Sequence, residues 1–294
     1  MTELQYYLGC PQWSNKSWVG ELFAAEAKPA DFLGQYAAVF NTVEGNTTFY
    51  ALPKPETVLK WREETPAVFR FCFKFPKIIS HQLRLQHAEK ETSAFIKLLA
   101  PLNEKLGPFF LQLPPSFDVN ALPDLEKFIK TLPAEFKYAV EARHLDFFNA
   151  MTAEQKFNDL LQSLNISRVV FDTRGLHAAE VPEHDYISLD AKRRKPKVPA
   201  RFTATNQYPV VRFVGHPIIE HNEFHLLQWA GAVVKWLAEG KKPFVFMHAP
   251  DDFYAPRLAQ YFHALLGKLA PEMAQLPPWP GEKIKSAEAQ LDLF

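Results

Sequence analysis

Cysteine is almost missing from this chain: Cys10 and Cys72 are its only thiols in 294 residues. Two cysteines do not make the spaced framework of a disulfide-stapled domain, and both sit in apolar runs of strand length. They are expected to be small core residues, with Cys10, at the end of its run, open to a second reading as a nucleophile. An excess of either charge is missing too, since 33 Lys and Arg balance 33 Asp and Glu. No global field draws the protein to nucleic acid or an anionic membrane, so such a role needs a local patch or a partner. No stretch approaches the roughly 18 uninterrupted apolar residues of a membrane span. Nor do the first residues carry a basic segment followed by an apolar one, so no membrane contact and a cytoplasmic location are expected.

Several motifs are absent as well. There is no Gly-rich phosphate turn after the first apolar run, where Gly9-Cys10-Pro11-Gln12-Trp13 stands instead, and no Walker or nucleophile-elbow pattern. His221 and His225 are four apart, but Glu223 is out of place for the H-E-x-x-H zinc motif. No metal or cofactor is expected from motifs. Glu141, His144, Asp172, His216 and His248 would form a ligand set only if the fold made them converge.

What is present is ample apolar material, 47% of the chain, arranged with regularity. Eight strand-length runs occur at residues 6–10, 39–45, 69–75, 109–113, 138–141, 168–172, 210–214 and 244–247. Helical periodicity marks 89–105, 122–132, 153–164, 223–239 and 255–269. Apolar runs alternating with amphipathic helices describe a buried parallel sheet, and eight such units favour closure. The expected fold is an α/β (β/α)8 TIM-like barrel over residues 1–270. Its sixth connection, 173–207, reads as irregular, with Pro182, Pro196 and Pro199 and a strand-like patch at 186–189. Residues 271–294, with Pro277, Pro278 and Pro280 clustered, read as an extended tail.

Barrels carry chemistry at the C-terminal ends of their strands, so the polar residues that close each run are the candidates. Glu44, Glu141 and Lys74 are the candidate catalytic groups, either carboxylate serving as general base. Asn46, Tyr50, Gln112, Arg143, His144, Asp172, Arg212 and His248 are the candidate ligand-binding groups, and Gln12, Trp13, Thr48, His81, Arg174, His216, Asp251 and Asp252 complete the ring. Two carboxylates among the fixed cations Lys74, Arg143 and Arg212 suit an anionic ligand better than a divalent metal. The same charges would also serve as mutually satisfied ion pairs, and a facing pair of carboxylates would suit glycoside hydrolysis.

Four ordered segments carry a resemblance: 42–50 (Thr-Val-Glu-Gly-Asn-Thr-Thr-Phe-Tyr), 73–76 (Phe-Lys-Phe-Pro), 111–117 (Leu-Gln-Leu-Pro-Pro-Ser-Phe) and 140–144 (Val-Glu-Ala-Arg-His). On these the chain resembles the YecE-like family, a bacterial domain family of unknown function, from about Leu8 to Leu266. The resemblance implies a TIM-like barrel with Glu44, Asn46, Lys74, Gln112, Glu141 and Arg143 as the pocket. It implies no reaction.

Two short segments point to partners. Gln290, Leu291, Leu293 and Phe294 resemble the bacterial sliding-clamp-binding motif, in which apolar side chains fill a pocket while the glutamine bonds at its edge. Lys192, Arg193, Arg194, Lys195 and Lys197 form the densest basic run, expected on a loop able to grip phosphates. The resulting expectation is a hydrolase or binder acting on a nucleic-acid-related anion and recruited through the clamp. The alternatives are a non-catalytic DNA-maintenance accessory and a metabolic enzyme for a sugar or organic acid.

Overall fold

The computed structural model describes residues 4–149 and 151–282. Its elements run β1 (Tyr7–Gly9), α1 (Phe32–Ala37), β2 (Thr42–Gly45), α2 (Pro55–Glu63), β3 (Arg70–Phe73), α3 (Glu89–Leu99), β4 (Phe109–Gln112) and α4 (Leu122–Lys130). They continue with β5 (Tyr138–Glu141), α5 (Thr152–Ser163), β6 (Ser167–Asp172), α6 (Arg174–Ala178), α7 (Tyr186–Arg194), β7 (Val210–Val214), α8 (Glu223–Ala238), β8 (Phe244–His248) and α9 (Ala255–Leu269). Every strand pair is parallel. Six strands form one sheet in the order β1-β8-β7-β6-β5-β4, and β2 pairs with β3 separately. The fold is thus mixed α/β, with helices covering a largely parallel sheet.

Side chains explain why the ladder stops at β2. The Asn41 amide accepts from Leu8 N (2.8 Å) and donates to Tyr6 O (2.8 Å), so a side chain takes the place of a strand. The Tyr36 hydroxyl sits across the same seam, accepting from Cys10 N (2.7 Å) and donating to Thr42 O (2.9 Å). A Cβ on Gly9 would lie 2.0 Å from Thr42 O, so only glycine lets the two backbones come this close. One main-chain bond, Glu44 N to Cys10 O at 3.1 Å, also crosses. Between β3 and β4 the link is two main-chain bonds, Gly107 N to Phe71 O (2.9 Å) and Phe75 N to Phe110 O (2.8 Å).

Period-two alternation sends one set of side chains to each face. On the face turned from the helices, Cys72, Phe110, Ala139, Val169, Val210, Phe244 and Phe246 form a small apolar cluster, with Tyr7 stacked on Phe244 at 4.2 Å. The other face joins the helices in the main core, which holds Trp18, Trp229, Phe262 and most of the phenylalanines. A buried ion group pins β6 to the next layer: Arg168 bonds Glu154 (3.0 Å), Asn158 (2.7 Å) and Phe147 O (2.7 Å).

The sixth connection differs from its reading in sequence. The patch at 186–189 opens helix α7, capped by Asp185 accepting from Ser188 N at 3.0 Å, and Lys192, Arg193 and Arg194 form its last turn rather than a loop. Placing cations at a helix C-terminus opposes its partial negative charge, and Arg193 and Arg194 also pair with Asp190 on the same helix. The Pro-rich segment differs too, up to residue 282. Met273 and Trp279 are buried, Arg257 lies 5.6 Å over the Trp279 ring, and a Cβ on Gly281 would strike Glu21 O. Residues 283–294, and so Gln290, Leu291, Leu293 and Phe294, lie outside the described residues. No helix among the described residues is long and apolar enough to cross a membrane.

Candidate functional site

On six strands the face turned from the helices carries a buried residue and, two positions on, a polar or charged one, whereas on β6 Val169 is followed by Phe171. Thr42 is followed by Glu44, Cys72 by Lys74, Phe110 by Gln112, Ala139 by Glu141, Val210 by Arg212 and Phe246 by His248. The alternation therefore seats an apolar layer beneath and a charged layer at the C-terminal ends of the strands.

Arg212 is the centre of that layer. Its Nε and one terminal nitrogen contact the two oxygens of Glu44, each at 2.7 Å, and its other terminal nitrogen donates to Glu141. Arg143 donates through Nε to the second oxygen of Glu141 and reaches Gln112 Oε1 at 3.3 Å. Both guanidinium groups lie against the ring of Phe171, at 4.1 Å for Arg143 and 5.4 Å for Arg212. His248 Nε2 is 2.9 Å from Glu44. Lys74, only 7% exposed, has no acceptor within hydrogen-bond reach of Nζ among the described residues and rests 5.2 Å over the Phe49 ring. Its backbone is held by the Thr48 hydroxyl, which lies 2.6 Å from Lys74 O.

Burial and charge set the protonation states. Burial alone would raise the Glu44 and Glu141 carboxyls, but the cations outweigh it. Glu44 is held well below the usual range by Arg212, His248 and Lys74, and Glu141 is held down to about 2 by Arg143, Arg212 and Lys74. The two carboxylates in turn raise Arg212 against its own burial. Burial, reinforced by Arg212, lowers Lys74 to about 8, and burial takes His248 down to about 4. At neutral pH the cluster holds three cations, Lys74, Arg143 and Arg212, against two carboxylates and a neutral imidazole.

Two further groups reach the rim. Asp252, raised by burial to about 6, accepts from Gln12 Nε2 at 3.3 Å, and its backbone carbonyl accepts from Trp18 Nε1 at 3.1 Å. Lys195, just past α7, is lowered by burial and by the nearby Arg212, and it feels Asp252 as its chief counter-charge. Lys195 and Phe171 carry no strand-end signal: one arrives on the sixth connection, and the other is apolar.

Other sequence candidates stand elsewhere. Asp172 is one residue out of phase with Val169 and Phe171, so it faces the helices, where Trp229 Nε1 (2.8 Å) and Arg174 (2.9 Å) hold it. His144 accepts from Asp146 N at 3.3 Å at the head of a helical turn. Asn46 donates to Pro11 O (3.0 Å) and ties two loops together, while Tyr50 is 82% exposed at the rim. His216 is engaged with Asn222 and His221, so the candidate metal set does not come together. Among the described residues, no three His, Cys, Asp or Glu side chains form a metal-binding group. Both thiols are pushed up by burial and suit core packing, Cys10 included. A cavity of about 830 Å³ opens at the opposite strand ends, lined by Tyr7, Asn41, Arg70 and Pro277, but Arg70 is already satisfied by Ala67 O (2.8 Å) and Phe69 O (2.9 Å).

Comparison with known proteins agrees with this architecture. The chain is 41% identical over 274 residues to "UPF0759 protein YecE" of Escherichia coli K12, covering 93% of this chain and 97% of that one. A solved DUF72 family protein from Thermotoga maritima superposes with a TM-score of 0.66 at 24% identity, over 89% of this chain and 98% of the other. One from Enterococcus faecalis gives 0.66 at 21% identity, over 92% and 99%. The family described as "Protein of unknown function DUF72" matches residues 7–284, and with a relative this similar over nearly its whole length, the chain belongs to that family.

Proposed function

We propose that the charged layer binds a small anionic ligand, with the eight strands acting as a closed (β/α)8 barrel around it. The observation that carries this reading is the buried, acceptor-free ammonium of Lys74 in a cluster whose cations outnumber its carboxylates three to two. Arg143 supports it: one terminal nitrogen has no acceptor among the described residues, and the other has only the long bond to Gln112. Closure is supported by the main-chain bonds that cross both seams.

In this reading Glu44 and Glu141 are counter-charges that fix Arg212. Both are ionised at neutral pH, whereas acid–base hydrolysis of a glycoside needs one carboxyl kept protonated by a raised pKa. The test is calorimetric titration with oxalate and inorganic phosphate at low ionic strength. Lys74→Met and Arg143→Gln should each weaken binding by at least about tenfold, the worth of one charge-assisted hydrogen bond. Failure of both anions to bind, or binding unchanged in both variants, would end the proposal.

A second, separable reading concerns recruitment. Gln290, Leu291, Leu293 and Phe294 match all four key positions of the sliding-clamp-binding motif, which supports a role near DNA. Calorimetry with a bacterial sliding clamp, comparing the full chain with one ending at Ala289, tests it; equal heats from both chains would dismiss it. Direct grip of nucleic acid by the basic run has less support, because Lys192 donates to Ala179 O and Arg193 and Arg194 are paired with Asp190.

A further inference from the structure

We infer that Lys74 is a carbonyl-reactive amine, and that the ligand class of the site is a small carboxylate bearing an adjacent ketone or aldehyde. This deepens the anion-binding reading and rests on it. Four observations point the same way. First, Lys74 stands at the end of β3, nearly buried, with its Nζ free of any hydrogen-bond acceptor among the described residues and facing the ring of Phe49. A lysine kept only to balance charge would be seated on a carboxylate oxygen. Both oxygens of Glu141 and Oε2 of Glu44 are hydrogen-bonded within the cluster, while Glu44 Oε1 lies 2.7 Å from Arg212 with no hydrogen-bond partner among the described residues, so even the carboxylate oxygen left open does not seat the amine.

Second, Arg143 has a terminal nitrogen without an acceptor among the described residues and holds Gln112 only by a long bond of 3.3 Å, and its charge is felt at Lys74. A carboxylate held by Arg143 would set a neighbouring carbonyl carbon against the lysine, a fixed approach of the kind that gives intramolecular reactions their advantage. Third, a buried site among like charges is what frees a lysine to act as a nucleophile. With Lys74 lowered to about 8, about one molecule in ten carries the free amine at pH 7, against fewer than about one in a thousand for an ordinary lysine. Fourth, a proton carrier is close to the cluster: Asp252, raised to about 6, exchanges protons near neutrality.

The step balances without an external oxidant or reductant. Deprotonated Nζ attacks the carbonyl carbon and forms the C–N bond, while the C=O π pair moves to oxygen, which takes a proton. Nitrogen loses a proton to water; the hydroxyl, protonated in turn, leaves as water as the nitrogen lone pair closes the C=N bond. Ammonium and carbonyl become iminium and water, with charge conserved. Phe171, against both guanidinium groups, keeps the anion-binding side of the site in place through this exchange.

The experiment incubates the full chain with pyruvate, traps any imine with borohydride, and locates the adduct by peptide mapping. Parallel titration with oxalate, which offers the carboxylate without a reactive carbonyl, measures anion binding alone. The expected result is an adduct at Lys74 at about ten times the level at other lysines, absent in Lys74→Arg and reduced in Arg143→Gln. Trapping spread evenly over the lysines, or none, while oxalate still binds, would overturn the inference and leave the anion site standing. Trapping absent at Lys74 together with failure of both oxalate and phosphate to bind would remove the underlying reading as well. Should Lys74→Arg fail to fold, the adduct map of the unaltered protein decides by itself.

Discussion

Arg212 holds two buried carboxylates by three contacts, and each partner depends on the others. Removing it leaves Glu44 with only the His248 bond and Glu141 with only Arg143, two buried carboxylates short of a cation in a low-dielectric interior. Arg212→Leu should therefore cost about 3–5 kcal/mol in urea denaturation, far more than the loss of an exposed pair such as Lys60 with Glu64. The same cluster sets the response to pH. Glu141 has a folded pKa of about 2, below its unfolded value, so its contribution is complete above about 4.5 and is lost as pH falls towards 2. His248, folded value about 4 against 6.5, also contributes fully above 6.5 and loses that contribution as pH falls to 4. Asp252 has the opposite sign: its raised value favours the fold below about 4 and costs stability as pH rises to about 6. His248→Asn should therefore flatten or reverse the fall in melting temperature between pH 6.5 and 4, and a profile identical to the unaltered protein's would refute this assignment. Anion binding runs the other way, weakening as pH rises through about 8 and Lys74 loses its proton.

At the scale of elements, the β1–β2 seam is sealed by side chains. Tyr36→Phe keeps the ring but leaves Cys10 N–H and Thr42 C=O without the bridging hydroxyl. Buried polar groups without partners cost about 1–3 kcal/mol, and faster hydrogen exchange at Cys10 than at the amides of β1 would locate the loss. The seam also shows what was legible in sequence. All eight strands were visible as apolar runs, because buried parallel strands are apolar on both faces. The run at 39–45 was read too long: Val39 and Phe40 close the turn after α1, and apolar residues there look the same as strand residues. Glu44, Lys74, Gln112, Glu141, Arg143, Arg212 and His248 stood out at strand ends and do meet. Asp172 also closes its strand but has the opposite parity to Phe171, so it faces the helices and stays out of the cluster. Helix α7 showed no clear apolar stripe, since it buries only Ser188 and Ala191, and so Lys195 was not visible as a member of the site.

For the whole molecule, the segment from 271 to 282 belongs to the body. Trp279, 1% exposed, packs beside Arg257, and Gly281 fits against the backbone of Glu21 and Phe23. Trp279→Ala should cost about 3–5 kcal/mol, and a chain cut after Ala270 should melt well below the full chain. Thermal unfolding followed by circular dichroism separates these cases. Composition suggested a linker because proline breaks regular structure whether or not the chain is packed.

By itself the sequence determined the parallel α/β pattern and the family, because the burial of eight strands and the local segments around Glu44, Lys74, Gln112 and Glu141 are written in consecutive residues. Tertiary structure alone decided which charges satisfy one another and which are left over. Glu44 lies 168 residues from Arg212, and the carboxylates pair with the guanidinium groups while Lys74 has no acceptor among the described residues. Electrostatic energy depends on distance and burial across the fold, and neither is a property of neighbours along the chain.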